Sequence, residues 1–280
     1  MNEIPYSRSC LQWPVVDTAS KGVEPAFCFR VRNFAVEYCD LQVDFNNPPA
    51  LVAAHVLSCC LLKTNNTPYQ IQDILNWSIK KRLQALIAVY VTGFGDELEI
   101  GVCCDDPGCA EELELRLPLQ SCTDLDGDEH FVHQIDGHVL QVHLPTGVDQ
   151  MSWLELRGHS SLFSSMAITL VDKVDGEIPD ANFRLSDEQL ATLGSELESR
   201  DPLTALEIET RCVTCDKTVS AAVDLELNIL KLLEKLQNQL IEQVHILASA
   251  YHWSERDIMQ LGSVRRQKYL SKLEQGWVSL

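Results

Sequence analysis

Two stretches decide the reading of this chain. The first is Leu98-Glu99-Ile100-Gly101-Val102-Cys103-Cys104-Asp105-Asp106-Pro107-Gly108-Cys109, followed by Leu113-Glu114-Leu115-Arg116-Leu117. The second is Leu206-Glu207-Ile208-Glu209-Thr210-Arg211-Cys212-Val213-Thr214-Cys215, followed by Val219 and Val223-Asp224-Leu225. Each reads as an alternating strand, a tight turn bracketed by cysteines, and a second apolar-patterned segment. Two thiolates at a hairpin tip supply half of a tetrahedral zinc site, and a second knuckle supplies the rest. The expected ligands are Cys104, Cys109, Cys212 and Cys215, with Cys103 as a second choice in the first half. About a hundred residues separate the halves, so the hairpins have to meet across the fold for a structural zinc ion to be held. Two other readings of the same letters stand beside it. The cysteines are reduced residues in turns, or Cys212-x-x-Cys215 is a redox pair.

Outward from the knuckles the chain reads as α+β. Phe27, Phe29 and Val31 alternate with polar neighbours, and a second run carries Val36, Tyr38, Leu41, Val43 and Phe45. Together they predict two strands of a small β-rich N-terminal extension over residues 1–47. The remainder, 48–280, reads as one domain. Its helices form a bundle around paired zinc-ribbon-like hairpins at 98–117 and 206–225.

Ala50 to Leu62 predicts a short helix opened by prolines. Thr67-Pro68 opens another, with apolar residues at helical spacing from Ile71 to Tyr90. On it, Lys80, Lys81 and Arg82 read as a solvated face. Asp136-Gly137 between alternating runs predicts a hairpin. It carries His130, His133, His138 and His143, which read as surface histidines rather than a second metal site. The Asp124 to Asp128 run fails as a calcium loop, because its glycine comes too early and position twelve is Ile135. Leu162, Phe163, Met166, Leu170 and Val171 predict one helix. Ser186-Asp187-Glu188-Gln189 is a capping box for another, running to about Arg200. The C-terminal helices occupy 224–275: a long amphipathic one, a short one capped by Ser254, and a basic one with Arg265, Arg266, Lys268 and Tyr269, the residues expected to meet a partner.

The chain has 280 residues, a net charge of -19 and 11 cysteines. That acidity argues against binding nucleic acid or anionic lipid, whose recognition needs basic patches. The first residues show no signal peptide and no stretch reaches membrane-span length. The expectation is a cytoplasmic protein with reduced thiols. No phosphate loop, HExxH or nucleophile elbow is present, so no enzymatic activity is expected.

Leu144-Pro145-Thr146-Gly147-Val148-Asp149-Gln150 resembles the LPTGxDQ phrase of a family of phage-tail baseplate proteins. The order of the later segments resembles it too: Arg200-Asp201-Pro202-Leu203, then Cys212-x-x-Cys215, then a long helix ending in Val244-His245-Ile246-Leu247-Ala248-Ser249-Ala250-Tyr251-His252-Trp253-Ser254-Glu255. Ile258-Met259-Gln260-Leu261 and Arg265-Arg266-Gln267-Lys268-Tyr269-Leu270 extend the likeness, which covers roughly residues 70 to 275. The family is similar to the baseplate hub-assembly chaperones of T-even-type phages and occurs beside contractile injection systems. The resemblance implies a non-enzymatic assembly or structural protein whose partners are baseplate hub or wedge proteins. The four residues between Cys104 and Cys109 depart from the family's CxxC. The alternative is a zinc-ribbon interaction adaptor unrelated to tails.

Overall fold

The computed structural model describes residues 11–13, 29–119, 128–156, 162–180 and 182–277. Most of the Asp124 to Asp128 run lies outside the described residues, as do Phe27 and residues 1–10. The fold is mixed helix and sheet with small antiparallel hairpins. It divides into two compact units: Met1–Tyr69, Ala88–Gly95 and Ile229–Leu280 form one, and Gln70–Ile87 with Asp96–Asn228 the other.

In the first unit, β1 (Leu11–Trp13), β2 (Phe29–Val31) and β3 (Leu61–Leu62) form an antiparallel sheet. The second expected N-terminal strand is absent among the described residues. Ala35 takes a left-handed backbone at φ 62°, and Tyr38–Gln42 wind into a 3-10 turn. The cause is Asp40. Its buried carboxylate accepts the backbone N–H groups of Val36 and Glu37 at 2.9 and 3.0 Å. That local bonding competes successfully with strand pairing. Helix α1 (Pro49–Cys60) comes next with proline in its first turn, as expected.

The helix expected over 68–90 is two helices, α2 (Ile71–Leu75) and α3 (Ile79–Phe94). Ser78 is buried at the break, accepts the N–H of Lys81 at 3.3 Å and donates to Glu129 at 2.8 Å. The second unit continues with β4 (Glu97–Cys103) and β5 (Glu112–Pro118), then β6 (His130–Ile135) and β7 (His138–His143), both pairs antiparallel. After α4 (Gly147–Trp153) and α5 (Leu162–Thr169), β8 (Val171–Val174) joins β7, so Val171 belongs to a strand rather than to the helix read there. Helix α6 (Asp187–Arg200) begins at the expected Ser186 capping box. Phe131, Leu140, Val142, Leu144, Leu170 and Leu193 bury against one another as this sheet's core.

The hairpin of β9 (Glu207–Arg211) and β10 (Thr218–Ala222) leads into the 27-residue helix α7 (Leu225–Tyr251). Helices α8 (Glu255–Gln260) and α9 (Ser263–Trp277) follow. In the first unit, Leu240, Val244, Leu247, Ile258 and Met259 form a core, flanked by Tyr251, Trp253 and Tyr269. His252 turns the chain at φ 54° between α7 and α8. Trp253 stacks on Tyr251 at 4.7 Å between ring centres and meets Tyr269 edge-on at 5.0 Å.

The Leu144 to Gln150 phrase is a structural junction in the second unit. Thr146 caps α4, with its side chain and that of Asp149 bonded reciprocally. Pro145 offers its carbonyl to Ile79 at 2.7 Å. A Cβ on Gly147 would sit 2.6 Å from Arg82 Nη1 and 2.9 Å from the Leu75 carbonyl oxygen, so only glycine fits. Gln150 accepts a hydrogen bond from Arg82. Arg82 is fully buried and pairs with Glu226, with its Nη2 at 3.0 Å and its Nε at 3.1 Å from the two carboxylate oxygens. The basic trio is therefore not a solvated face: Lys80 is also buried and reaches the Arg200 carbonyl at 3.4 Å. Arg82 lies three residues after Ile79 and four before Leu86, on the apolar stripe, which is the spacing that gives it away.

Candidate metal centre

The first hairpin delivers its thiols through a closed turn. Strand β4 alternates exposed and buried, with Leu98, Ile100 and Val102 inward, so Cys103 faces solvent and Cys104 is buried. Cys104 N–H bonds the Glu111 carbonyl at 2.8 Å. The Asp106 carbonyl takes the N–H groups of Cys109 and Ala110 at 2.9 and 3.1 Å. Directly after the second cysteine, Ala110 adopts φ 48°.

The second hairpin repeats the plan. Cys212 N–H bonds the Lys217 carbonyl at 2.9 Å, and Asp216 N–H returns to the Cys212 carbonyl at 2.9 Å. Asp216, directly after Cys215, sits at φ 58°. Left-handed backbone is ordinarily glycine's place. Here alanine and aspartate hold it, which is why neither knuckle carries a glycine signal after its second cysteine.

The two tips meet. Cys104 Sγ lies 3.7 Å from Cys215 Sγ, and Cys109 Sγ 3.6 Å from Cys212 Sγ, across 111 and 103 residues of sequence. All four sulfurs lie within 4.8 Å of one another, close enough to hold a metal ion. A tetrahedron with metal–sulfur distances of about 2.3 Å has sulfur–sulfur edges of about 3.8 Å. A disulfide would need about 2.05 Å. The donor set therefore fits a four-coordinate ion and excludes a bonded pair in this arrangement. The backbone N–H groups of Cys215 and Thr214 hold the Cys212 thiol down, to about 7. Cys104 also takes a backbone N–H, from Asp106, which lowers it, but burial and the neighbouring thiols push it up to about 12. One thiolate is thus favoured among crowded thiols, and a cation at the centre is what would allow all four to ionise.

Side chains lock the tips together from outside. Lys217 of the second knuckle pairs with Asp106 of the first, and Thr214 donates to Glu111 at 3.1 Å. The pair lowers the pKa of Asp106 and raises that of Lys217, each favouring the charged form of the other. Nothing in the cysteine spacing announces these two bridges; they depend on the tips meeting.

The residues expected to meet a partner fare differently. Arg265 and Lys268 are exposed on α9. Tyr269 belongs to the aromatic cluster with Tyr251 and Trp253. Arg266 is 2% exposed, and its guanidinium donates inward to the Leu261 carbonyl at 2.8 Å, which pins the start of α9. The four histidines form no metal-holding group among the described residues. His143 is instead held between Asp172 at 2.8 Å and Asp149 at 3.2 Å. A cluster that the spacing does not signal is Cys39, Asp40 and Cys59, in the first unit.

No helix among the described residues is long and apolar enough to cross a membrane. Comparison with protein-family models, with curated proteins and with solved structures finds no match.

Proposed function

We propose that this chain is a non-enzymatic assembly or structural protein of a phage-tail-like contractile injection system, acting at the baseplate hub, with structural zinc at Cys104, Cys109, Cys212 and Cys215. The observation that carries the structural half of this reading is the closed tetrad of sulfurs from two distant hairpin tips. Four thiolates fill zinc's tetrahedral shell and leave no position for a substrate, which marks a scaffold rather than a reactive centre. Zinc bound there ties together segments more than a hundred residues apart, and its binding free energy becomes folding free energy.

The hub assignment rests on the ordered phrases from Leu144 to Leu270. Their residues have structural work in this fold, as capping pairs, a glycine contact and an aromatic cluster, which suits a family held together by architecture rather than catalysis. The exposed Arg265 and Lys268 on an otherwise acidic protein offer a contact point for a partner, and the net charge of -19 favours solubility of an assembly intermediate.

Two measurements test this. Metal analysis of purified protein is expected to give one zinc per chain, lost on changing Cys212 and Cys215 to serine. Co-expression with baseplate hub and wedge proteins is expected to yield a complex on size exclusion that Arg265→Glu with Lys268→Glu weakens. Zinc without any such complex would favour the adaptor reading; no metal would defeat the scaffold.

A further inference from the structure

The first unit holds a second sulfur cluster with a different chemistry. Cys39 sits in the 3-10 turn and Cys59 near the end of α1, both half-buried. Their sulfurs and an Asp40 oxygen lie within 4.8 Å of one another. Cys59 Sγ also points at residue 39, 3.6 Å from its carbonyl oxygen. A metal does not fit. Both oxygens of Asp40 are taken by Arg32, at 2.7 and 2.8 Å, and one also by the N–H groups of Val36 and Glu37. Two thiols alone make an incomplete site.

The pair is instead polarised. Arg32 Nη2 lies 3.3 Å from Cys39 Sγ while also bonding the Cys59 carbonyl at 2.8 Å. The Cys59 thiol draws Cys39 down, against burial and the Asp40 carboxylate 3.7 Å from Cys39 Sγ, while the bond to Cys39 and burial push Cys59 up. Cys39, beside the guanidinium, is thus the more readily ionised of the two sulfurs, the asymmetry that separates an attacking from a resolving cysteine.

We propose that Cys39 and Cys59 form a peroxide-responsive thiol pair that closes to an intramolecular disulfide. The Cys39 thiolate attacks one oxygen of hydrogen peroxide and the O–O bond breaks. The departing hydroxide takes a proton and leaves as water, and Cys39 becomes a sulfenic acid. The Cys59 sulfur then attacks the Cys39 sulfur as its proton leaves, the S–O bond breaks, and a second water departs. Two thiols are oxidised by two electrons and one peroxide is reduced to two waters. Closure needs the sulfurs to come from within 4.8 Å to about 2.05 Å. The bond would staple the 3-10 turn to α1, where Gln237 of α7 already holds the carbonyls of Asp40 and Val43 at 2.7 and 2.8 Å.

The test uses the full-length, zinc-loaded protein treated with graded hydrogen peroxide and mapped without reduction by peptide mass spectrometry. The expected result is a Cys39–Cys59 cross-linked peptide at the lowest effective dose, two hydrogens lighter and reversed by dithiothreitol, with a raised unfolding midpoint in the oxidised form. Cys59→Ser is expected to trap a dimedone-reactive sulfenic acid at Cys39. The proposal is overturned if Cys39 stays alkylatable at doses that oxidise other cysteines, or if its first disulfide is to another residue or another chain. The wild-type map decides the matter even if the variant fails to fold.

Discussion

The molecule's two sulfur clusters are built on opposite electrostatic plans. At the hairpin tips, four thiols face one another closely enough to hold a metal ion, with backbone N–H groups at Cys212 and the Asp106–Lys217 pair outside them. At Cys39 and Cys59, a cation is built in: Arg32 lies beside Cys39 Sγ and pairs with Asp40. The first arrangement fits a metal ion, and in the second both Asp40 oxygens are already taken by Arg32. Proximity of sulfur atoms therefore says little until the neighbouring charges are counted.

Removing sulfur from each cluster in turn separates the two plans most strongly. Cys212→Ser with Cys215→Ser is expected to abolish metal binding and to strip hydrogen-exchange protection from 97–118 and 207–222. Structural zinc contributes on the order of 10 kcal/mol in small zinc domains, so this is the largest effect expected. Cys39→Ser with Cys59→Ser is expected to leave zinc content at the wild-type value; a drop would erase the distinction.

Next in size is Asp40→Asn. It leaves the buried Arg32 guanidinium unpaired and weakens the anchor of the 3-10 turn, so denaturant unfolding is expected to show a loss of about 3–5 kcal/mol with zinc unchanged. Gly147→Ala is the corresponding control in the second unit. Its methyl group meets Arg82 and the Leu75 carbonyl, and an overpacking loss of about 1–3 kcal/mol is expected, again with full metal content.

A smaller effect separates histidine from both clusters. The pKa of His143 is raised, first by its hydrogen bond to Asp149. Burial of Asp149 opposes its ionisation, yet the bonds from His143 and Thr146 hold its pKa low. The histidine's contribution is complete below its unfolded value of about 6.5 and fades as pH rises through its higher folded value. The aspartate's contribution is present above its unfolded value of about 3.9 and fades as pH falls through its lower folded value. His143→Gln should flatten the alkaline limb of the stability–pH profile without altering zinc content. Smallest is the backbone test of the knuckles. Ala110→Gly relieves a left-handed alanine and should stabilise by about 0.5–1 kcal/mol. Asp216→Gly should change little, because aspartate tolerates that conformation.

Much of the fold is legible in the sequence where a local rule governs. The Ser186 and Ser254 caps, the Asp136-Gly137 hairpin, the proline-opened α1 and the alternating strands of both knuckles all depend on contacts within a few residues. Several of the readings that fail involve charge. Asp40 and Arg32 fold a would-be strand into a turn, and Arg82 is drawn inward by Glu226, 144 residues away. A basic trio looks solvated until its partner is known. Arg266 escapes a sequence reading for the same reason, since a guanidinium capping a carbonyl turns inward.

The knuckle strands, the helix caps and the two cysteines of each knuckle follow from residue order, because those depend on backbone geometry over a turn or two. Only the tertiary structure decided that the four sulfurs converge, that Gly147 is pressed against Arg82 and that Cys39 finds Cys59. Those outcomes depend on which distant segments come into contact, and the favourable partner of a thiol or a buried charge is chosen by that contact rather than by its neighbours in sequence.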